Sequence, residues 1–319
     1  MSHAFVFPGQ GSQAPGMGKL LAEAFEPARR VFAEVDEALS QSLSNLMFEG
    51  PEAELTLTAN AQPALMAVSM AVLRVLEAEA GLDLARDAKF VAGHSLGEYS
   101  ALAAAGSFTL ADTARLLRKR GDAMQAACPP GEGAMAAIIG LEFGPVAAVA
   151  TEAARQLHLS AAVCQAANDN GGGQVVISGS KAAVERAMEL AKQAGAKRAI
   201  LLPVSAPFHS ALMYPAADVM SAALAEVAIR PPVVPLVANV LASPITEPAE
   251  IRQLLVEQVT GTVRWRESIA FMAAAGVDTF VELGAGKVLS GLVKRIADSA
   301  TGVAIGAPAD VAAWTSRPK

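Results

Sequence analysis

The sequence contains few cysteines and few histidines, and these shortages exclude several kinds of catalytic centre. Of its 319 residues, two are cysteine and four are histidine. Cys128 and Cys164 have no metal-binding or redox spacing, so we expect reduced structural thiols, no catalytic cysteine and no metal site. With only four histidines, few side chains in this sequence could act as an imidazole general base.

The sequence also lacks the features of membrane, secreted and nucleic-acid-binding proteins. Its apolar runs are interrupted, as at Arg74 and Pro231, and therefore predict no membrane span. No basic segment or signal-type apolar stretch precedes the first predicted strand, which favours a cytoplasmic location. The formal net charge of −6 argues against nucleic acid as a partner. The hydrophobic share of 53%, in contrast, is ample for a large core.

Strands and helices alternate in the first half of the chain. Apolar runs at 4–7 and 89–92 predict strands, and helical patterns cover 19–39 and 63–80. Pro63 would then lie near the first turn of its helix. This alternation predicts an α/β fold with a mostly parallel sheet.

A second, smaller unit is predicted after a proline- and glycine-rich break at 129–133. The order beyond it is β-α-β-β-α-β, as in ferredoxin-like units. The predicted strands are 134–139, 161–167, 174–178 and 198–203, and the helices are 144–157 and 181–194. We therefore predict a small domain of residues 131–203, inserted into a large α/β domain of residues 1–130 and 204–319.

The segment Gly93-His94-Ser95-Leu96-Gly97 has the G-x-S-x-G pattern of a serine nucleophile. It lies between a predicted strand and a predicted helix that Gly106 closes. A sharp strand-to-helix turn exposes the serine hydroxyl and needs small neighbours on both sides. The alternative is a glycine-flanked serine that only caps the helix.

A serine nucleophile needs a general base, and His209 is the best placed histidine. It follows Pro207 at the predicted seam between the two domains, where ligand sites are common. The remaining candidates are His3 at the terminus, His94 next to the serine and His158 after an amphipathic helix. A histidine held in a turn for packing is the alternative. No acidic partner for His209 is evident, and a carbonyl oxygen could orient its ring instead.

The glycine-rich loop after the first strand invites a nucleotide-binding interpretation. Gly9-x-Gly11-x-x-Ala14 matches the dinucleotide fingerprint, but Pro8 and Pro15 break the strand-to-helix context that the fingerprint requires. We therefore expect no nucleotide cofactor. A backbone amide of this loop, that of Gln10, could instead form an oxyanion hole with the amide of Leu96.

Together these motifs resemble the malonyl-CoA:acyl carrier protein transacylases of bacterial type II fatty acid synthesis. The resemblance runs essentially end to end and covers residues 7–13, 93–99, 120–121, 134–140, 174–179, 206–210 and 286–289. It implies an α/β hydrolase-like large domain with a ferredoxin-like insert. It also implies malonyl transfer from malonyl-CoA to the phosphopantetheine thiol of acyl carrier protein, without a cofactor.

The resemblance assigns roles to individual residues. Ser95 would be acylated, His209 would act as general base and acid, and Arg120 would bind the malonyl carboxylate, which suits a planar guanidinium. The other matching positions are Gln10 and Leu96 for the oxyanion hole, and Gln258, whose main-chain carbonyl would orient the histidine. Gly172 and Ala285 depart from the common pattern, which has proline at both positions.

Several alternatives stay open. A serine hydrolase would release the acyl group to water, and a non-catalytic scaffold would only bind carrier protein. A loading enzyme for polyketide synthesis, or one that accepts methylmalonyl, would share the motifs; the bulky Phe208 favours malonyl. Two basic clusters are either solvated helix faces or a docking surface for acidic carrier protein. Their members are Arg115, Arg118, Lys119 and Arg120 in the first, and Lys287, Lys294 and Arg295 in the second.

Overall fold

The protein contains a mostly parallel β-sheet and a smaller antiparallel one, in a computed structural model that describes residues 2–129, 131–157, 162–204 and 206–317. The strands are β1 (His3–Phe7), β2 (Ala88–Gly93), β3 (Gly133–Ile139), β4 (Cys164–Asp169), β5 (Gln174–Ser180), β6 (Arg198–Leu201), β7 (Leu236–Val237), β8 (Pro244–Ile245), β9 (Thr279–Leu283) and β10 (Thr301–Ile305). The helices are α1 (Lys19–Ala24), α2 (Glu26–Leu39), α3 (Leu43–Glu49), α4 (Glu52–Thr56), α5 (Thr58–Ala80), α6 (Leu84–Asp87), α7 (Gly97–Ala104), α8 (Leu110–Ala126), α9 (Phe143–Gln156), α10 (Lys181–Gln193), α11 (Tyr214–Ala225), α12 (Pro248–Gln258), α13 (Trp265–Ala274), α14 (Val288–Ile296) and α15 (Pro308–Thr315).

The larger sheet has six strands in the order β10-β9-β1-β2-β7-β8. All neighbours are parallel except β7 and β8, which confirms the predicted α/β class. Its central strands are apolar and buried, as expected where helices cover both faces of a parallel sheet. Because β1, β2 and β7 run in the same direction, the loops that follow them meet at one edge of the sheet.

The smaller sheet has four strands in the order β4-β5-β3-β6, and each neighbouring pair is antiparallel. The predicted β-α-β-β-α-β order is present, and α9 and α10 pack small residues such as Ala150 and Ala187 against the sheet. The predicted strand at 161–167 is observed from Cys164 onward, and residue 161 lies outside the described residues. Gly172 has a φ of 59°, which the ring of a proline does not allow. The conformation of this turn therefore explains why glycine replaces the proline of the common pattern.

Two predicted helices have different boundaries in the structure. The predicted helix at 19–39 is two helices, because Phe25 is extended and a new helix begins with Pro27 in its first turn. Helix α5 starts at Thr58, so Pro63 lies inside the helix rather than at its start. Pro63 has no N–H to donate, so the helix lacks one backbone hydrogen bond there. Packing offsets this loss, since almost every residue from Ala61 to Leu76 is buried.

Helix α5 is also long and apolar enough, by length and composition, to cross a membrane. However, 83% of its apolar segment is buried inside the protein. It packs against α2, α7 and α8 in the main hydrophobic core. The helix therefore has the environment of a core helix, which agrees with the sequence prediction of no membrane span.

Candidate active site

Ser95 lies at the turn between β2 and α7, on the edge of the sheet where parallel strands end. Its φ of 54° is in the left-handed region, which non-glycine residues seldom adopt outside functional sites. A Cβ at Gly93 would lie 1.9 Å from the carbonyl of Gly97, and a Cβ at Gly97 would lie 2.2 Å from the carbonyl oxygen of Phe7. Both glycines are therefore required by the close approach of β1, β2 and α7, as predicted for this motif.

Asn239, which follows β7, holds this turn from outside the motif. Its Oδ1 accepts a hydrogen bond from the backbone N–H of Ser95 at 2.8 Å, and its Nδ2 donates to the carbonyl of Gly93 at 2.7 Å. The side chain is 1% exposed. Asn239 could not be recognised from the sequence, because it lies 144 residues from Ser95 and no local motif marks it.

His209 is brought to Ser95 from the segment between the two sheets. Its Nε2 lies 2.7 Å from the Oγ of Ser95. Its Nδ1 lies 2.8 Å from the main-chain oxygen of Gln258 and 3.1 Å from that of Gly261. Carbonyl oxygens only accept, so Nδ1 carries the proton and Nε2 is free to accept the hydroxyl proton of Ser95. Carbonyl groups thus orient the ring, the alternative that the sequence left open, and Gly261 is a second such group.

The environment of His209 keeps its imidazole neutral. Burial, together with the positive charge of Arg120, lowers the pKa of His209 to about 3. His209 also has a φ of 57°, so both members of the pair have strained backbones. A neutral imidazole with a bare Nε2 can act as a general base at neutral pH.

Arg120, on α8, is 1% exposed and points into the same site. Its Nη1 donates to the Oε1 of Gln62 at 2.9 Å. Its Nη2 donates to the Oε1 of Gln258 at 2.8 Å and to the Oγ of Ser95 at 3.1 Å. Burial lowers the pKa of Arg120, but guanidinium groups remain charged in proteins. The site therefore has a fixed positive charge beside the serine hydroxyl.

These side chains line a cavity of about 650 Å³. Both sheets contribute to its wall, with Gln10, Ser95 and Phe208 among its lining residues. The backbone N–H groups of Gln10 and Leu96 form no hydrogen bond to another described residue. Two free amide donors near the Ser95 hydroxyl and the start of α7 can stabilise a developing oxyanion.

Comparison with known proteins agrees with this geometry. The acyl transferase domain family matches residues 4–313. The malonyl CoA-acyl carrier protein transacylase of Bacillus subtilis (strain 168) is 51% identical over 92% of this chain and 90% of its own length. The transacylase of the same name from Escherichia coli (strain K12) is 47% identical, and the match covers 97% of both chains. The chain belongs to the acyl transferase family, among the malonyl CoA-acyl carrier protein transacylases.

Solved structures of the family have the same fold as this acyl transferase. An acyl-carrier-protein-S-malonyltransferase from Bartonella henselae is 59% identical and superimposes with a TM-score of 0.94, over 98% of each chain. A malonyl-transacylase solved in complex with a type II PKS acyl-carrier protein is 42% identical, with a TM-score of 0.93 over 98% of each chain. Both structures extend over the small sheet as well as the large one.

Of the other histidines of this acyl transferase, the two that the structure describes make contacts elsewhere. His94 lies beside the serine in sequence, but its Nε2 contacts the Oδ1 of Asn170 at 2.9 Å. The ring of His3 packs against Phe5 and Trp314. His158 lies outside the described residues.

The first basic cluster predicted from the sequence is not one surface patch. Arg120 is buried in the active site, and Arg118 is half-buried and donates to the Oε1 of Gln41. Only Arg115 and Lys119 are exposed, and they line a separate surface cavity of about 450 Å³. The prediction of a docking cluster at 115–120 is therefore wrong for Arg120. The spacing in the sequence could not reveal which face of α8 is buried.

The second basic cluster lies on and next to α14, a helix that lines the active-site cavity. Lys287, Lys294 and Arg295 are exposed on and just before α14. From the same helix, Val288, Leu289 and Leu292 line the cavity. Positive charge therefore lies on a helix that also contributes to the cavity wall.

The cysteines take no part in the site. Both are buried free thiols, as the sequence predicted. Burial raises the pKa of Cys164 to about 12, which makes it a poor nucleophile. Among the described residues, no group of three or more His, Cys, Asp or Glu side chains is arranged to hold a metal ion.

Proposed function

We propose that this protein transfers the malonyl group of malonyl-CoA to the phosphopantetheine thiol of acyl carrier protein, and so supplies fatty acid synthesis. The observation that carries the proposal is the cluster of Ser95, His209 and Arg120, in which the histidine and the arginine are buried. It combines a nucleophile, a base 2.7 Å away and a cation that also touches the nucleophile. Relatives that are 51% and 47% identical have the corresponding names.

The first half of the reaction forms a malonyl-serine ester. The Oγ of Ser95 attacks the thioester carbonyl carbon while its proton moves to the Nε2 of His209. The oxyanion accepts hydrogen bonds from the backbone amides of Gln10 and Leu96. The bond from carbon to sulfur then breaks, and the imidazolium returns the proton to the sulfur of CoA, which leaves as a thiol.

The second half reverses these steps with another thiol. The phosphopantetheine thiol gives its proton to the Nε2 of His209, and its sulfur attacks the ester carbonyl. The bond to the Oγ of Ser95 breaks and the serine recovers the proton. The two halves share one site and occur in sequence, which gives ping-pong kinetics without a metal or redox cofactor.

Arg120 selects an acyl group that carries a free carboxylate. A guanidinium can hold a carboxylate through two parallel hydrogen bonds, and a buried one discriminates strongly against the neutral acetyl group. Phe208 lines the cavity beside His209 and leaves little room for an α-methyl branch, which favours malonyl over methylmalonyl.

We also propose the finer architecture predicted from the sequence. The large unit, 1–130 and 204–319, is α/β hydrolase-like, with its nucleophile at a strand-to-helix turn. The small unit, 131–203, is ferredoxin-like, and its four-stranded order with antiparallel neighbours supports this. We propose a cytoplasmic location for the whole protein.

Carrier protein docks, in this proposal, at the second basic cluster. Carrier proteins are acidic, and Lys287, Lys294 and Arg295 are exposed on or next to α14, a helix that lines the cavity that the phosphopantetheine arm must enter. Complementary charge mainly speeds the encounter of such partners. The first cluster is left out of this docking surface, because Arg120, one of its four members, is buried.

The decisive experiment is to trap the acyl-enzyme. The protein is mixed with malonyl-CoA alone, quenched in acid and analysed by intact and peptide mass spectrometry, with Ser95→Ala as control. We expect a malonyl adduct on Ser95 that phosphopantetheinylated carrier protein discharges. Absence of an adduct would favour a scaffold, and discharge by water alone would favour a hydrolase.

Malonyl loading for polyketide synthesis is a second candidate. The malonyl-transacylase solved with a type II PKS acyl-carrier protein is 42% identical to this chain. Discharge of the malonyl-enzyme by purified fatty acid and polyketide carrier proteins, compared as kcat/KM, separates the two candidates.

A further inference from the structure

Glu98 is a buried carboxylate that the reaction above does not use. It lies in the first turn of α7 and is 1% exposed. Its Oε1 accepts from the backbone N–H of Asn239 at 3.2 Å, and its Oε2 accepts from the Nε2 of Gln258 at 2.5 Å. A charge in this environment is costly unless it is hydrogen-bonded or paired, so the partners of Glu98 indicate its role.

The partners of Gln258 determine which way its side-chain amide points. Its Nε2 donates to Glu98 and, at 2.8 Å, to the main-chain oxygen of Ser95; both groups accept hydrogen bonds. Its Oε1 accepts from Arg120, whose guanidinium only donates. In the reverse orientation, the amide oxygen would face two acceptors and the NH₂ group would face a donor. Glu98 therefore favours one of the two orientations strongly.

That orientation decides where Arg120 points. The guanidinium is held between two amide oxygens, those of Gln62 and Gln258, and Nη2 is left beside the Oγ of Ser95. If the amide of Gln258 turned or moved, Arg120 would lose one of its two amide acceptors. Glu98 is thus connected to the guanidinium of Arg120 through one residue, Gln258, and two hydrogen bonds.

We propose that Glu98 is a positioning residue: by holding the amide of Gln258 in this orientation, it keeps the Arg120 guanidinium aimed at the acyl carboxylate beside Ser95. This inference rests on the proposed function, because it takes Arg120 as the ligand of that carboxylate. Glu98 contacts neither the Oγ of Ser95 nor the Nε2 of His209. It influences which acyl group is accepted only through Gln258.

A different path from Glu98 would give a different result. Gln258 also orients His209, but through its main-chain oxygen, which is independent of the side-chain amide. Damage that reached His209 would slow the reaction of Ser95 with every electrophile. Displacement of Arg120 alone would slow the reaction with acyl groups that carry a carboxylate far more than the reaction with electrophiles that lack one.

The test compares Glu98→Gln with Glu257→Gln in the full-length protein at pH 8. Glu257→Gln removes the same charge from the neighbouring, exposed position, where the carboxylate accepts a hydrogen bond from Gln253. Two rates are measured: malonylation of Ser95 by malonyl-CoA, and sulfonylation of Ser95 by phenylmethanesulfonyl fluoride, which has no carboxylate. We expect Glu98→Gln to slow malonylation by about tenfold to a hundredfold, the range that follows from small misplacements of positioning groups, and to leave sulfonylation almost unchanged.

A double-mutant cycle with Arg120→Ala completes the test. If Glu98 acts through Arg120, Glu98→Gln will slow malonylation no further in the Arg120→Ala background. Equal loss in both reactions, no loss in malonylation, or full additivity with Arg120→Ala would each overturn the inference. Failure of the proposed function is distinguishable, because wild-type protein would then form no malonyl-Ser95 at all.

Discussion

The main-chain oxygen of Gln258 lies 2.8 Å from the Nδ1 of His209, so this histidine is oriented by a neutral group instead of a carboxylate. The side chain of the same residue accepts a hydrogen bond from Arg120. One residue at the end of α12 thus connects the proposed base with the proposed carboxylate ligand. It also explains why no acidic partner was found in the sequence around His209.

Removing the base should slow acylation without unfolding the protein. His209→Asn is the preferred change, because asparagine tolerates the positive φ of this position. We expect the rate of malonyl-Ser95 formation to fall by about 10²- to 10⁴-fold, the usual contribution of a general base. Rapid-quench mass spectrometry measures the rate, and the urea midpoint checks the fold. An unchanged rate would show that His209 is not the base.

Gly97, two residues after Ser95, should not tolerate a side chain. In Gly97→Ala, the new Cβ would lie 2.2 Å from the carbonyl oxygen of Phe7, so β1 or α7 must move. We expect a loss of about 1–3 kcal/mol in the free energy of unfolding, together with slower acylation. Gly144→Ala in α9 is the matched control, since nothing lies within 4 Å of its Cβ. Urea denaturation should show the control unchanged or stabilised by about 0.4–1 kcal/mol; equal effects would contradict the steric argument.

Asn239 should contribute to both stability and acylation. Asn239→Ala leaves the buried N–H of Ser95 and carbonyl of Gly93 without their side-chain partner. We expect a loss of about 1–3 kcal/mol in stability, the cost of unsatisfied buried groups, and slower malonylation of Ser95 because the turn loosens. Denaturation and rapid-quench assays measure the two effects. Wild-type acylation in a destabilised variant would mean that Asn239 supports the fold alone.

The buried carboxyl of Glu98 should make stability depend on pH. Burial raises its pKa from 4.5 to about 7, so the folded protein binds the proton more tightly than the unfolded chain. Wild-type protein therefore loses stability as the pH rises from 4.5 through 7, by up to about 3 kcal/mol for such a shift. Glu98→Gln lacks this titration. Its stability relative to wild type should improve between pH 5 and pH 8 in urea denaturation, and an opposite trend would contradict the assignment.

Reversing the charges of the second basic cluster should weaken the docking of carrier protein without affecting the acylation of Ser95. Lys294→Glu with Arg295→Glu is expected to raise KM for carrier protein several-fold at low salt and to leave malonyl-CoA acylation unchanged. Arg115→Glu with Lys119→Glu is the matched control at the separate surface cavity. Steady-state kinetics at two salt concentrations measure both pairs. If the control pair raised KM equally, the docking surface would not be the one beside α14.

Much of the active site was predictable because its chemistry is local in sequence. Ser95, Gly93 and Gly97 form one turn, and the strand and helix on either side were recognisable from hydrophobic periodicity. His209 followed from the shortage of histidines. The positions of Gln62, Asn239 and Gly261 were not predictable, since each acts through contacts with residues far away in the sequence. Glu98 stood inside a recognised motif, but its contact with Gln258 spans 160 residues.

The sequence by itself determined the element types and the strand-to-helix turn at Ser95, and it singled out His209 as the candidate base, because these depend on periodicity, backbone sterics and residue counts. Only the tertiary structure decided which face of α8 is buried, and so made Arg120 an active-site residue and Arg115 a surface one. It also determined that the carbonyl oxygens of Gln258 and Gly261 together orient His209, and that Glu98 contacts Gln258. Such contacts depend on how separate elements pack in three dimensions, and no local pattern encodes that arrangement.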